Sequence, residues 1–220
     1  MSTGGPLPLG PPFEVVGEFA TLSEDEYSDD YAYAPGFEND PRAAGDPNGN
    51  FIVVWSRDDY GISAQHFDAG GMPRSEEFSL AEEEVIAEGV DVAADSQGNF
   101  VVVWSQASGT GTYPIFAQRF TDKAKRDGNS LLASDVNVDA SHPRIDMGPP
   151  GDKFAVAWID GRTLVQAKRG GGSSFNGPTV DVNTEPFLPD RDVDTAIDGN
   201  RNWLVVAVGN MNGLFARVDG

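Results

Sequence analysis

Two turns in this chain set oxygen-bearing side chains at alternate positions. Asp46, Asn48 and Asn50 form one, and Asp198, Asn200 and Asn202 the other. A calcium loop opens this way, so these six residues are the metal-ligand candidates and calcium is the one cofactor the sequence admits. The twelfth position, where such a loop carries its bidentate Glu, holds Arg57 and Gly209 instead. A hairpin turn accounts for the same residues and is the preferred reading: Asp caps backbone N–H groups while Gly or Asn takes a positive φ.

Other chemistry is thinly marked. Hydrolysis of a glycosidic bond takes two carboxyl groups, one as acid and one as base or nucleophile. With 35 acidic residues some pair is inevitable, yet none stands out by context. Glu24-Asp25-Glu26, Asp29-Asp30 and Glu82-Glu83-Glu84 read as solvated loop faces. A catalytic zinc takes three protein ligands, and the chain has two histidines, His66 and His142. Neither lies near a Gly-x-Ser-x-Gly turn that would mark a nucleophilic serine. The expectation is therefore a chain with no catalytic residue, not an enzyme. The acidic, aromatic stretch 23–40 carries Tyr27, Tyr31 and Tyr33. Such a loop suits a sugar ring, which stacks on an aromatic face while its hydroxyls bond to acids; the tyrosines serve equally well to pin the loop down.

Composition bounds the partners. The net charge is -20, from 35 acidic against 15 basic residues. That surface repels phosphate backbones and anionic lipid, so neither nucleic acid nor membrane is an expected partner. No apolar run approaches the ~18–20 residues that span a bilayer. There are no cysteines, which removes disulfide and thiol chemistry. The Gly/Pro-rich start, MSTGGPLPLGPPF, lacks the pattern of a secretory signal.

The elements that must position these residues come from a repeat. DPNGNFIVVWS at 46–56 returns as DSQGNFVVVWS at 95–105, with weaker echoes in GDKFAVAWID (151–160) and DGNRNWLVVAVGN (198–210). The anchor aromatics Phe51, Phe100, Phe154 and Trp203 are 49, 54 and 49 residues apart. Around each anchor stands a small-residue strand, the Asp turn, an apolar strand, a polar turn and an alternating strand such as ISAQHF (62–67) or IFAQRF (115–120). A weak fourth strand closes each of the first three units. Four strands in about 50 residues is the pattern of a β-propeller blade. Trp55, Trp104 and Trp158 fall at one strand position and read as core wedges between blades. The fourth unit lacks its outer strand, and FEVVGEFATL (13–22) belongs to no unit. That strand is expected to complete the last blade and close the ring, hiding its open edge.

The repeat resembles a family of bacterial, usually secreted, propeller repeats with the consensus Asp-x-x-Gly-Asn-Phe-Val-Val-Val-Trp followed by a strand ending Ala-Gln-Arg-Phe. Matching residues are Asp46, Gly49, Asn50, Phe51, Trp55, Ala64, Gln65 and Phe67, then Asp95, Gly98, Asn99, Phe100, Trp104, Ala117, Gln118, Arg119 and Phe120. The third unit loses the Gly-Asn of the turn, and the fourth has Val208 for the second Trp. The resemblance implies a propeller and leaves function open, because propellers host enzymes, lectins and scaffolds alike. The turn is also similar to the Asp-box of sialidases, but its Gly falls one place late and the Ser is missing, so no sialidase chemistry is implied.

In a propeller the first strand of each blade lines the central channel. Aligned on the anchors, Arg42, Asp91, Arg144 and Asp194 share one level, with alternating signs and with Asp146, His142 and Asp192 close by. They are candidate ligand-binding residues at a channel mouth, or a ring of mutually paired side chains that fills it.

The sequence thus predicts an all-β chain: a flexible segment 1–12 and one propeller over 13–220, of four blades with four antiparallel strands each. An eight-bladed ring from two chains is the rival to this monomer. The expected role is a non-catalytic, extracellular or cell-surface recognition module that binds a glycan or protein partner through its loops. The alternatives are a carbohydrate hydrolase using loop carboxylates, or a spacer domain of a larger surface protein.

Overall fold

The computed structural model describes residues 38–57, 61–80, 87–148, 153–161, 164–172, 174–183, 189–198, 200, 202–209 and 213–219. These residues contain no helix and form four antiparallel sheets. The first runs β1 (Glu38–Gly45), β2 (Phe51–Arg57), β3 (Gly61–Phe67), β4 (Phe78–Ser79). The second repeats it with β5 (Ala87–Ala94), β6 (Phe100–Gln106), β7 (Ile115–Phe120) and β8 (Leu131–Leu132). The third comprises β9 (Ala140–Gly148), β10 (Lys153–Asp160) and β11 (Leu164–Gly171), edged by two short pieces, β12 (Ser174–Phe175) and β13 (Val180–Asp181). The fourth has three strands, β14 (Pro189–Ile197), β15 (Trp203–Gly209) and β16 (Gly213–Asp219).

The expected four strands per sheet hold in the first two sheets only. In the third, the outer edge is split between β12 and β13, which both pair β11. The chain turns just past the end of β11, where Gly172 takes a φ of 58°. Strand 13–22 and the segment 1–12 lie outside the described residues.

Why the sheets stack follows from the pleat. Successive residues of the apolar strands point to opposite faces, so each such strand serves two interfaces. Ile52 and Val54 pack toward the second sheet against Phe100, Val102 and Trp104. Val101 and Val103 pack toward the third, against Phe154, Val156 and Trp158. Ala155, Ala157 and Ile159 meet Trp203, Val205 and Ala207 of the fourth. Trp104 and Trp158 are wedges between sheets, 2% and 0% exposed, and Trp55 is equally buried. Each large buried side chain contributes roughly 1.5–3 kcal/mol.

The inner strands stand side by side, β1 on β5, β5 on β9 and β9 on β14. This is the radial, blade-like arrangement that the repeat predicts. Among the described residues β14 makes no comparable contact with β1. The face of the fourth sheet opposite Trp203 is partly open, with Leu204 and Val208 exposed.

Candidate functional site

The inner strands carry the charged level read from the sequence. Arg42 pairs Val54, Asp91 pairs Val103, Arg144 pairs Ala157 and Asp194 pairs Val206, each three residues beyond its anchor. The four therefore share one level. Two residues earlier the backbone turns left-handed at Asp40 (φ 50), Gly89 (φ 55) and His142 (φ 53), and each of these strands shifts register there. The bulge sets up matching local bonds. Arg42 and Arg144 each donate to the carbonyl of the preceding proline, at 3.0 and 2.9 Å. Asp91 and Asp194 each accept the following N–H at 2.9 Å.

Asp91 also crosses to the next sheet, where its Oδ2 accepts the Ile145 N–H at 2.9 Å. Burial pushes its carboxyl up; the N–H groups of Ile145 and Val92, then the charges of Arg144 and Arg42, draw it back only in part. Asp146 repeats the crossing one sheet on, accepting the Ile197 N–H at 2.9 Å. These carboxylates staple inner strands together. His142 is held by Ser141 Oγ, 3.0 Å from its Nδ1.

The calcium candidates are turns. Asp46 Oδ1 accepts the N–H groups of Asn48 and Asn50 at 2.8 and 3.0 Å, and its Oδ2 accepts Asn50 Nδ2 at 2.8 Å. Asp198 does the same with Asn200 and Asn202, at 2.8, 2.9 and 2.9 Å. Asp95 repeats the pattern with Gln97 and Asn99. Gly49 and Gly98 take the positive φ that such a turn demands, 84° and 83°. These bonds are those of the hairpin-turn reading, with both carboxylates engaged by N–H donors within their turns. Tyr27, Tyr31 and Tyr33, with Glu24 to Asp30 and Glu82 to Glu84, lie outside the described residues.

What the sequence did not single out is a cavity of about 190 Å³ in the seam between the first and second sheets. Asp46, His66 and Arg74 line it from the first sheet, and Gln97, Gly98 and Asp122 from the second, over an apolar floor of Ala44, Phe51, Ile52 and Ala94. Asp46 and Asp122 both approach Gly98. A methyl group built on that glycine would stand 3.2 Å from Asp46 Oδ2 and 3.4 Å from Asp122 Cβ. Slight burial pushes the Asp46 carboxyl up, but the bonds from Asn50 and Asn48 outweigh it and hold the group below its ordinary value. Oδ2, with a single turn bond, keeps a lone pair on the Gly98 side.

His66 is 8% exposed and lies edge-on to Phe100, with ring centroids 4.9 Å apart. Burial and the nearby Arg74 charge press its pKa below 6.5, against the smaller pull of Asp122 and Asp46. Neither ring nitrogen has a hydrogen bond among the described residues, and the ring lines the cavity. An ionised carboxylate, a second carboxyl, a neutral imidazole and a guanidinium thus face one small space. That set can hold a polyhydroxylated ligand and move a proton.

No family model matches the chain, and no curated protein matches it. Several solved structures do. Aleuria aurantia lectin in complex with alpha-methyl-L-fucoside aligns at 16% identity over 83% of this chain and 61% of the lectin, with a TM-score of 0.55. Penicillium chrysogenum alpha-L-arabinanase complexed with arabinobiose aligns at 13% over 84% of this chain and 57% of the arabinanase, with a TM-score of 0.54. A Hadza microbial sialidase aligns at 12% over 83% of this chain and 44% of that one, with a TM-score of 0.53. The chain spans less than two thirds of each of these. The likeness fixes the fold as an all-β propeller. The expectation of a non-catalytic module is corrected on this finding: beside the lectin, the structures of like fold include an arabinanase, an exo-beta-1,3-galactanase and a sialidase.

Proposed function

We propose that this chain is a carbohydrate-active hydrolase whose reaction site is the cavity between the first two sheets. The observation that carries the reading is that Asp46 and Asp122, from two different sheets, line one small cavity beside Gly98. Two carboxylates in a concave site are the minimum equipment for adding water across a glycosidic bond. Asp46, held ionised by its turn, is the base that takes a proton from water. Asp122 is the group that returns one to the leaving oxygen, and His66, neutral beside it, can relay it.

The solved structures of like fold support a sugar as substrate, since one is an arabinanase holding arabinobiose, one a sialidase and one a lectin holding a fucoside. The strongly acidic surface is compatible with an extracellular setting.

The test is release of reducing ends from a panel of arabinan, galactan, pectin and sialylated glycans. Release by the wild type that falls at least ~100-fold in Asp122→Asn, with an unchanged melting temperature, supports the reading. Equal release by both proteins refutes the assignment.

A further inference from the structure

The repeat offers an internal control on the cavity. His66, Arg119 and Arg169 hold one place in their sheets, each paired with the residue after the anchor, at Ile52, Val101 and Ala155. In the second sheet Arg119 fills its own surroundings. Its Nη2 lies 3.2 Å from Asp95 and its Nε 3.3 Å from Asp127. The Asp95–Arg119–Asp127 set is closed on itself, with a charge at the centre and an opposite charge at either end.

The first sheet keeps the backbone and changes the side chains. Arg74 N–H bonds the His66 carbonyl as Asp127 N–H bonds that of Arg119, at 2.8 and 2.9 Å, so the two sets correspond. Asp95–Arg119–Asp127 has become Asp46–His66–Arg74. A shorter, neutral ring replaces the central guanidinium, which opens the cavity, and a cation replaces the outer carboxylate. Arg74 is exposed at the rim and makes no ion pair among the described residues. In a chain of net charge -20, a cation with no partner carboxylate among the described residues stands beside a cavity whose imidazole has no hydrogen-bond partner among them.

We propose that the site takes an acidic sugar, a uronic acid residue whose carboxylate is received by Arg74. The proposal rests on the reading of the cavity as the sugar site. The guanidinium offers the fork that fits a carboxylate with two parallel bonds. Across the cavity, Asp122 and Asp46 Oδ2 accept from ring hydroxyls, while the free nitrogens of His66 and the Gln97 amide complete the polar wall. The volume, below the about 300–1,000 Å³ of drug-sized sites, holds one sugar ring and not a chain.

The test is calorimetric titration of the full chain with D-galacturonate and with D-galactose, its neutral counterpart. The expected result is binding of galacturonate at least ~10-fold tighter than galactose, with the preference abolished in Arg74→Gln. A double variant, His66→Arg with Arg74→Asp, rebuilds the second sheet's closed set. It should melt like the wild type and bind neither sugar. Equal affinity for the two sugars, or a preference that survives Arg74→Gln, overturns the acidic-substrate proposal and leaves the sugar site standing. Failure of both sugars to bind the wild type overturns the site itself.

Discussion

His66 and Arg119 occupy one position in successive copies of the repeat, and only Arg119 reaches the turn carboxylate of its own sheet, at 3.2 Å from Asp95. Among the described residues the corresponding Asp46 has no such partner, and a cavity lies beside it. A site arises here by subtraction. The first sheet keeps the turn carboxylate of the second and sets the shorter His66 where the second has Arg119, and the cavity stands there.

Asp91 should matter for stability more than its partly exposed position implies. It satisfies the Ile145 N–H across the seam between the second and third sheets. Asp91→Ala leaves that donor unpaired and should cost about 1–3 kcal/mol in urea unfolding. A cost below ~0.5 kcal/mol would mean that the crossing bond does not hold the inner strands together.

Stability should also report the buried imidazole. Because the folded pKa of His66 lies below 6.5, the unfolded chain binds its proton first as pH falls. The native state is therefore at full strength above 6.5, loses stability as pH falls through that value, and loses no more once the folded pKa is passed. Subtracting the curve of His66→Gln from that of the wild type should leave this step alone, beginning near pH 6.5 and ending once the folded pKa below it is passed. A flat difference curve, or one rising toward acid, would show that the ring is not desolvated.

Gly170 is fixed by contact, not by φ. A Cβ there would fall 2.1 Å from Phe154 Cζ, and Phe154 is 1% exposed with nowhere to go. Gly170→Ala should cost about 1–3 kcal/mol or more through overpacking, read as a lowered melting temperature. Gly172→Ala has open space around its Cβ and a φ of +58°, so its cost is backbone strain alone, about 1 kcal/mol.

Chelator and calcium should leave the melting temperature alike, since the Asp46 and Asp198 oxygens accept N–H bonds within their turns. Asp198→Ala should cost about 1–2 kcal/mol through lost turn bonds. A rise of several degrees on adding calcium would restore these residues as ligands.

Much of this was legible in advance, and the reasons are local. Phe51, Phe100, Phe154 and Trp203 mark strands because continuous apolar runs between Asp turns must be buried on both faces, and alignment on them placed Arg42, Asp91, Arg144 and Asp194 at one level. The cavity escaped because it depends on a pair across a seam. Asp122 sits in a turn of the second sheet and Asp46 in a turn of the first, 76 positions apart, and no spacing in one chain announces their approach. One signal was present: ISAQHF carries His where IFAQRF carries Arg, a change of volume and charge at a position that faces a neighbouring blade. The carboxylates proposed for catalysis stand in hairpin turns, whereas the acidic clusters that the sequence displays stand in the loops.

The most direct test of the account is hydrolysis by His66→Arg. The added side chain should do what Arg119 does, pairing the turn carboxylate and filling the cavity while the fold is kept. The account predicts a melting temperature within a few degrees of the wild type and reducing-end release lowered at least ~100-fold. A folded His66→Arg protein that releases sugar at the wild-type rate would contradict it and move the reaction site out of the seam.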